Sequence, residues 1–438
     1  MNYNFERIKL GWSKILNNKA LFLIPILYFL LLFIGFQAAT NLLALASSPT
    51  ALLPIAKILW ACIVFCAFMG LLVLFGTPHH AKKYERGLSS VFSKVASNSS
   101  SNSAPLAILI SIEKTERGII LDFFSDSLSI DKYKEHQSDL EAALNLIIVE
   151  ICRGKKGVRH VLIKALPGDY KQPHIIPWDD SYLSHEGFTL VLGQTPFGLE
   201  TIDLATTPHL LYGGGSGSGK SQLVKLSAYE SIMLGATVYI YDGKGGLDFP
   251  PFFHKRCEII TNKQQFLAFL ERIIPSKGST NCEKDDLSIM DKRREVLLAS
   301  HSCDVTEHNQ HNCKPYLPRI LIIVDELAEV LDKTGLSKEE KEEVGKIESA
   351  LSTIARLGRA LGVHLLLSTQ RPDSEIIRGQ IKANIGYKCC GRSDKILSQI
   401  ILDDASAAEK ISPDSQGLFC TNMGTMFKAF YLDDDQLE

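Results

Sequence analysis

Residues 214–221 read Gly214-Gly215-Ser216-Gly217-Ser218-Gly219-Lys220-Ser221, the G-x-x-x-x-G-K-S spacing of a phosphate-binding loop. Glycines at these places let successive backbone N–H groups curl around phosphate oxygens without Cβ clashes. Lys220 is expected to reach the β/γ-phosphates of a nucleoside triphosphate, and the Ser221 hydroxyl to ligate Mg²⁺. A second acidic motif follows in Arg319–Glu329, RILIIVDELAE. Its apolar run, Ile320–Val324, suits a strand buried on both faces of a parallel sheet. Asp325 and Glu326 then emerge at the carboxyl end, where open α/β sheets bind ligands. Asp325 is assigned to the Mg²⁺ water shell and Glu326 to the attacking water. A flexible Gly/Ser linker is the bland alternative for 214–221, and it does not explain why Lys-Ser opens a helix.

The elements that must hold these groups are legible around them. His209-Leu210-Leu211-Tyr212 suits the strand before the loop, and Lys220–Leu234 the helix after it. Val238–Tyr241 ends in Asp242-Gly243-Lys244, and Val363–Leu367 ends in Ser368-Thr369-Gln370-Arg371-Pro372. Apolar strands alternating with helices imply a doubly wound parallel sheet. Thr369 and Gln370 are then placed to sense the γ-phosphate or its water. Lys338–Lys346 is a charge run opening a helix to about Leu361, its acids lying early, as the helix dipole favours. Its plainest reading is a solvated face. Cys303, His308, His311 and Cys313 follow C-x4-H-x2-H-x-C, which is not a usual structural zinc spacing, so ordinary thiols in a polar loop are the simpler account.

The chain has 438 residues and a formal charge of −2 at pH 7, which excludes a polybasic coat for nucleic acid and leaves local contacts. Ten cysteines show no paired framework, consistent with a reducing cytoplasm. Residues 1–87 read as a membrane anchor with two transmembrane helices, at about 20–40 and 57–76, each near the length that crosses a bilayer. Arg7, Lys9, Lys14 and Lys19 precede the first run and Lys82, Lys83 and Arg86 follow the second, with Lys57 between. Positive residues stay inside, so both termini are expected in the cytoplasm, where ATP is. Residues 88–104, which include the run ASNSSSNS, read as a flexible Ser/Asn-rich linker. Residues 105–186 suit a small α/β module: a strand at Leu106–Ile112, an amphipathic helix at Asp131–Ile147 and a strand at Val158–Ala165. Residues 187–438 form the motor region.

Taken together, GGSGSGKS, IIVDELAE, RALGVHLLLSTQRP, GQIKANI and SDKILSQIILDDASAAEKI resemble the FtsK/SpoIIIE family of membrane-anchored DNA translocases. The likeness runs from about Leu190 to Leu437, and more weakly through Ser129–Ala165. It implies a RecA-like P-loop NTPase motor, a homohexameric ring that threads double-stranded DNA, and ATP with Mg²⁺ as cofactors. By position, Lys220, Ser221, Asp325 and Glu326 keep their roles; Gln370 is counted with the catalytic residues from its strand-end place alone. Arg359 matches the family's trans-acting arginine, while Arg371, Lys382 and Lys395 match pore positions that face DNA. With two expected spans, a short linker and no winged-helix domain before Glu438, the chain resembles conjugative coupling-type members of an inner membrane. Such a translocase moves plasmid or conjugative-element DNA toward relaxase or transfer-channel partners. A type VII-like protein-secretion ATPase and a chromosome-segregation translocase are the alternatives.

Overall fold

The computed structural model describes residues 3–17, 21, 23–45, 52–78, 80–97, 107–115, 117–125, 128–154, 157–185, 187–274, 287–370 and 379–437. They divide into two compact units, Met1–Lys171 and Gln172–Glu438.

The first unit opens with helix α1, Tyr3–Asn17, followed by the apolar helices α2, Leu23–Leu45, and α3, Leu52–Gly76. Within α3, Lys57–Gly76 is long and apolar enough by length and composition to cross a membrane; Leu23–Ala38 in α2 is a shorter apolar helix. Phe29, Phe33, Ile58 and Leu74 stand exposed. Gly11 of α1 lies against the Leu72 backbone, where a Cβ would collide, so the two helices approach closely.

Helix α4, Ala81–Ser97, corrects the expected linker at 88–104. Leu88, Val91 and Phe92 recur at helical spacing and are buried, and Phe92 meets the Tyr133 ring at 4.9 Å. The remainder of that segment, 98–104, lies outside the described residues. The small module is a four-stranded sheet built from β1 (Ala107–Lys114), β2 (Ile119–Ser125), β3 (Leu146–Arg153) and β4 (His160–Pro167) in the order β1-β2-β4-β3. Its pairs are all antiparallel. The single helix expected at 131–147 is two short ones, α5 (Ile130–Glu135) and α6 (Gln137–Leu144), ended by Asn145 with φ +53. Arg7 knits this unit together. Its guanidinium donates to the Gly76 carbonyl at 2.8 Å, to the Leu109 carbonyl at 2.6 Å and to Glu85, whose Oε1 also accepts the Leu109 N–H.

The second unit begins at Gln172 rather than 187, because Trp178 and Ile176 pair with Tyr431 through backbone hydrogen bonds of 2.8 Å. Its strands are β5 (Thr189–Thr195), β6 (Gly198–Asp203), β7 (His209–Gly213), β8 (Thr237–Tyr241), β9 (Glu258–Ile260), β10 (Ile320–Val324), β11 (Val363–Thr369), β12 (Tyr387–Cys390), β13 (Leu418–Thr421) and β14 (Met426–Ala429). They form one sheet in the order β6-β5-β14-β13-β12-β7-β11-β10-β8-β9. From β12 to β9 every pair is parallel. The remaining strands add an antiparallel extension that the sequence pattern did not announce. Strands β7, β10 and β11 are buried at every residue. Ile322 and Leu365 face one core layer, Leu321 and Leu366 the other, so helices cover both faces. The acidic-start helix runs from Lys338 to Leu357, opened by a Ser337–Glu340 capping box.

Helix α7, Lys220–Met233, packs on β5 through Glu230, which is fully buried. Glu230 Oε2 accepts the Val191 N–H at 2.7 Å, at the β5 bulge, while Oε1 has no partner among the described residues. Burial pushes this carboxyl well above its ordinary 4.5, with the Val191 bond pulling the other way. An acid with a raised folded-state pKa binds its proton more tightly in the fold. Its stabilising contribution is therefore full below pH 4.5 and is lost as pH rises from there toward the folded value. Glu230→Gln keeps the acceptor and removes the titration. The expected result is a higher melting temperature than the parent at pH 7, with the gap closing below about pH 4.5, measured by thermal unfolding across pH.

Candidate active site

The parallel register brings the chemistry level. Val324 of β10 pairs with Tyr241 of β8 and Leu367 of β11, and Thr369 of β11 pairs with Gly213 of β7. The phosphate loop, Asp325, the Ser368–Gln370 turn and Asp242–Lys244 therefore leave one end of the sheet together.

The loop has the shape its composition dictates. Gly214, Gly217 and Gly219 hold φ of +156, +73 and +96, and Gly219 takes the N-cap place of α7. A Cβ on Gly219 would stand 2.9 Å from the Gly417 Cα. The loop is also gripped from outside by Arg392, which the motifs did not single out. Its carbonyl accepts the Gly215 N–H at 2.8 Å, and its guanidinium donates to the Ser216 and Pro413 carbonyls. A cavity of about 770 Å³ opens over the loop, lined also by Ser221, Lys244, Gln370 and Gln416. An adjoining cavity of about 470 Å³ shares Gly219, Gln222 and Gln416 and is walled by Ile175, Ala429 and Tyr431.

Lys220 is buried, with Nζ donating to the Asp325 carbonyl and to Ser368 Oγ, each at 2.9 Å. Asp325 is buried too, yet neither carboxylate oxygen has a hydrogen-bond partner among the described residues. Orphaned oxygens of this kind, 3.5 Å from the Nζ of the phosphate loop's own lysine, fit a Mg²⁺-bound phosphate tail. Glu326 is held on two sides. Oε1 accepts from Thr369 Oγ1 at 2.8 Å, and Oε2 from the Gln370 N–H at 2.9 Å. That brace joins two strand ends and is not a local pattern.

The expected site residues do not all converge. Lys220, Ser221, Asp325, Glu326, Gln370 and the loop 214–219 share the site. Arg359 does not: it precedes β11, whose seven residues span about 20 Å before Thr369, and its Nε donates to the Ala205 carbonyl at 3.2 Å. Lys382 is paired with Asp403 at 2.5 Å, and Lys388 pairs with the same acid at 3.1 Å. Lys395 is exposed, 3.8 Å from Glu409. Arg371 lies outside the described residues. His308, weighed in a metal pattern, bonds Ser300 Oγ at 2.8 Å and the Pro315 carbonyl at 2.9 Å.

The FtsK/SpoIIIE family profile matches residues 265–374. A solved structure, titled as the pCW3 conjugation coupling protein TcpA in monomer form with ATPγS, is 33% identical, with 81% of this chain and 96% of that one covered and a TM-score of 0.57. This chain belongs to the FtsK/SpoIIIE family. Family relatives named DNA translocase FtsK include one from Treponema pallidum, 32% identical over 233 residues, which are 50% of this chain and 26% of the relative. Another, from Streptomyces avermitilis, is 28% identical over 255 residues, 55% of this chain and 27% of the relative. The chain thus spans about a quarter of the length of these relatives.

Gly219→Ala tests the loop geometry directly. A side chain in the left-handed region and a forced contact with Gly417 should cost about 1–3 kcal/mol of stability, read by denaturant unfolding, and should abolish nucleotide binding.

Proposed function

We propose that the chain is a membrane-anchored ATPase that moves double-stranded DNA, and that its cargo is plasmid or conjugative-element DNA. The observation that carries the ATPase reading is the meeting of Lys220, Asp325 and the braced Glu326 over one glycine cradle. Ser221 and Asp325 are the groups that would hold Mg²⁺, which supplies charge neutralisation on the phosphates. Lys220 exchanges the Asp325 carbonyl and Ser368 for β/γ-phosphate oxygens. Glu326, fixed by Thr369 and Gln370, orients the attacking water and accepts its proton. The apolar cavity beside Gly219 suits a base and ribose.

The far position of Arg359 from its own loop supports a role across a subunit border, in a ring of the family's kind. Lys395 is the readiest contact for DNA phosphates, whereas Lys382 must first leave Asp403. The exposed apolar surfaces of α2 and α3 support two spans of a bacterial inner membrane. The cations flanking them support both ends in the cytoplasm. Near-complete coverage of a conjugation coupling protein supports transfer, with relaxase or channel proteins as partners, over a division role.

DNA-stimulated hydrolysis is the test. Lys220→Ala is expected to abolish ATPase activity with and without DNA, and Glu326→Gln to retain bound ATP without turnover. A wild-type chain whose hydrolysis ignores double-stranded DNA defeats the translocase reading. Thr369 is expected to act as a positioning residue. Thr369→Val should lower kcat about ten- to a hundredfold with KM within about twofold, and Thr369→Ser should restore it.

A further inference from the structure

β8 lies directly beside β10, as β11 does on the other side, so its carboxyl end neighbours Asp325. The turn that follows is fixed by Asp242, which is buried and spends both oxygens on backbone. Oδ1 accepts the Lys244 N–H and Oδ2 the Gly246 N–H, each at 2.9 Å. Gly245 and Gly246 hold φ of +85 and +80. Such a turn aims one long cation into the cavity over the phosphate loop, and Lys244 lines that cavity.

Its ammonium stands 3.7 Å from Asp325 Oδ2 and 2.8 Å from Asp248, while Lys220 Nζ stands 3.5 Å from Asp325 Oδ1. Two ammonium groups therefore face one buried carboxylate, and neither makes a hydrogen bond to its oxygens. A Mg²⁺ held by Asp325 would repel both ammonium groups. The polyanionic tail beside the metal is where both are attracted. Lys244 and Gln370 line the same cavity.

We propose that Lys244 is a second phosphate-binding lysine, exchanging Asp325 for the terminal phosphate when Mg²⁺–ATP binds. This rests on the ATPase reading above.

Affinities of the full chain in detergent for Mg²⁺–ATPγS and Mg²⁺–ADP decide the matter. Lys244→Met should weaken ATPγS binding about tenfold and leave ADP within about twofold. Lys244→Arg should recover most of the loss. Inorganic tripolyphosphate against pyrophosphate should show the same contrast without a nucleoside. If Lys244→Met weakens both nucleotides equally, or neither, Lys244 is a counter-ion of Asp325 and the proposal falls while the ATPase reading stands. A wild-type chain that binds neither nucleotide nor tripolyphosphate overturns both.

Discussion

The site depends on one constraint, the level parallel pairing of β7, β11, β10 and β8. Parallel strands hold a common direction, and their register fixes which carboxyl ends finish at the same height. Because these strands are apolar and buried on both faces, a register slip would expose their side chains or bury polar ones. The hydrophobic core thereby sets the distance from Lys220 to Asp325 and from Thr369 to Glu326. The chemistry is positioned by packing that contains no chemistry of its own.

That division explains what was readable in advance. The loop 214–221 and the Asp325-Glu326 end of β10 each carry their signal within a dozen contiguous residues, and both stand where the pattern placed them. The Thr369–Glu326 brace and the approach of Lys244 to Asp325 join positions far apart in sequence, and their partners follow from sheet order. Arg392 grips the loop with its backbone and a surface side chain, neither of which has a sequence pattern. The antiparallel strand β13 is four residues long, too short for alternation to mark it.

The linker was misread for a compositional reason. The polar run that begins at Ala96 drew attention away from Leu88, Val91 and Phe92, whose spacing already marked a helix face. Lys382 shows the converse limit. Resemblance puts it among the positions that face DNA, but the acid that pairs with it, Asp403, sits in a left-handed turn after a separate helix. No local rule connects the two.

Arg7 has a mechanical meaning. One guanidinium joins the last turn of α3, the acid of α4 and the first strand of the small sheet. Buried pairs of this kind resist separation, because pulling them apart strands a charge in an apolar interior. With α4 packed on β1, a displacement of the small sheet is passed to α3 through a buried ion pair.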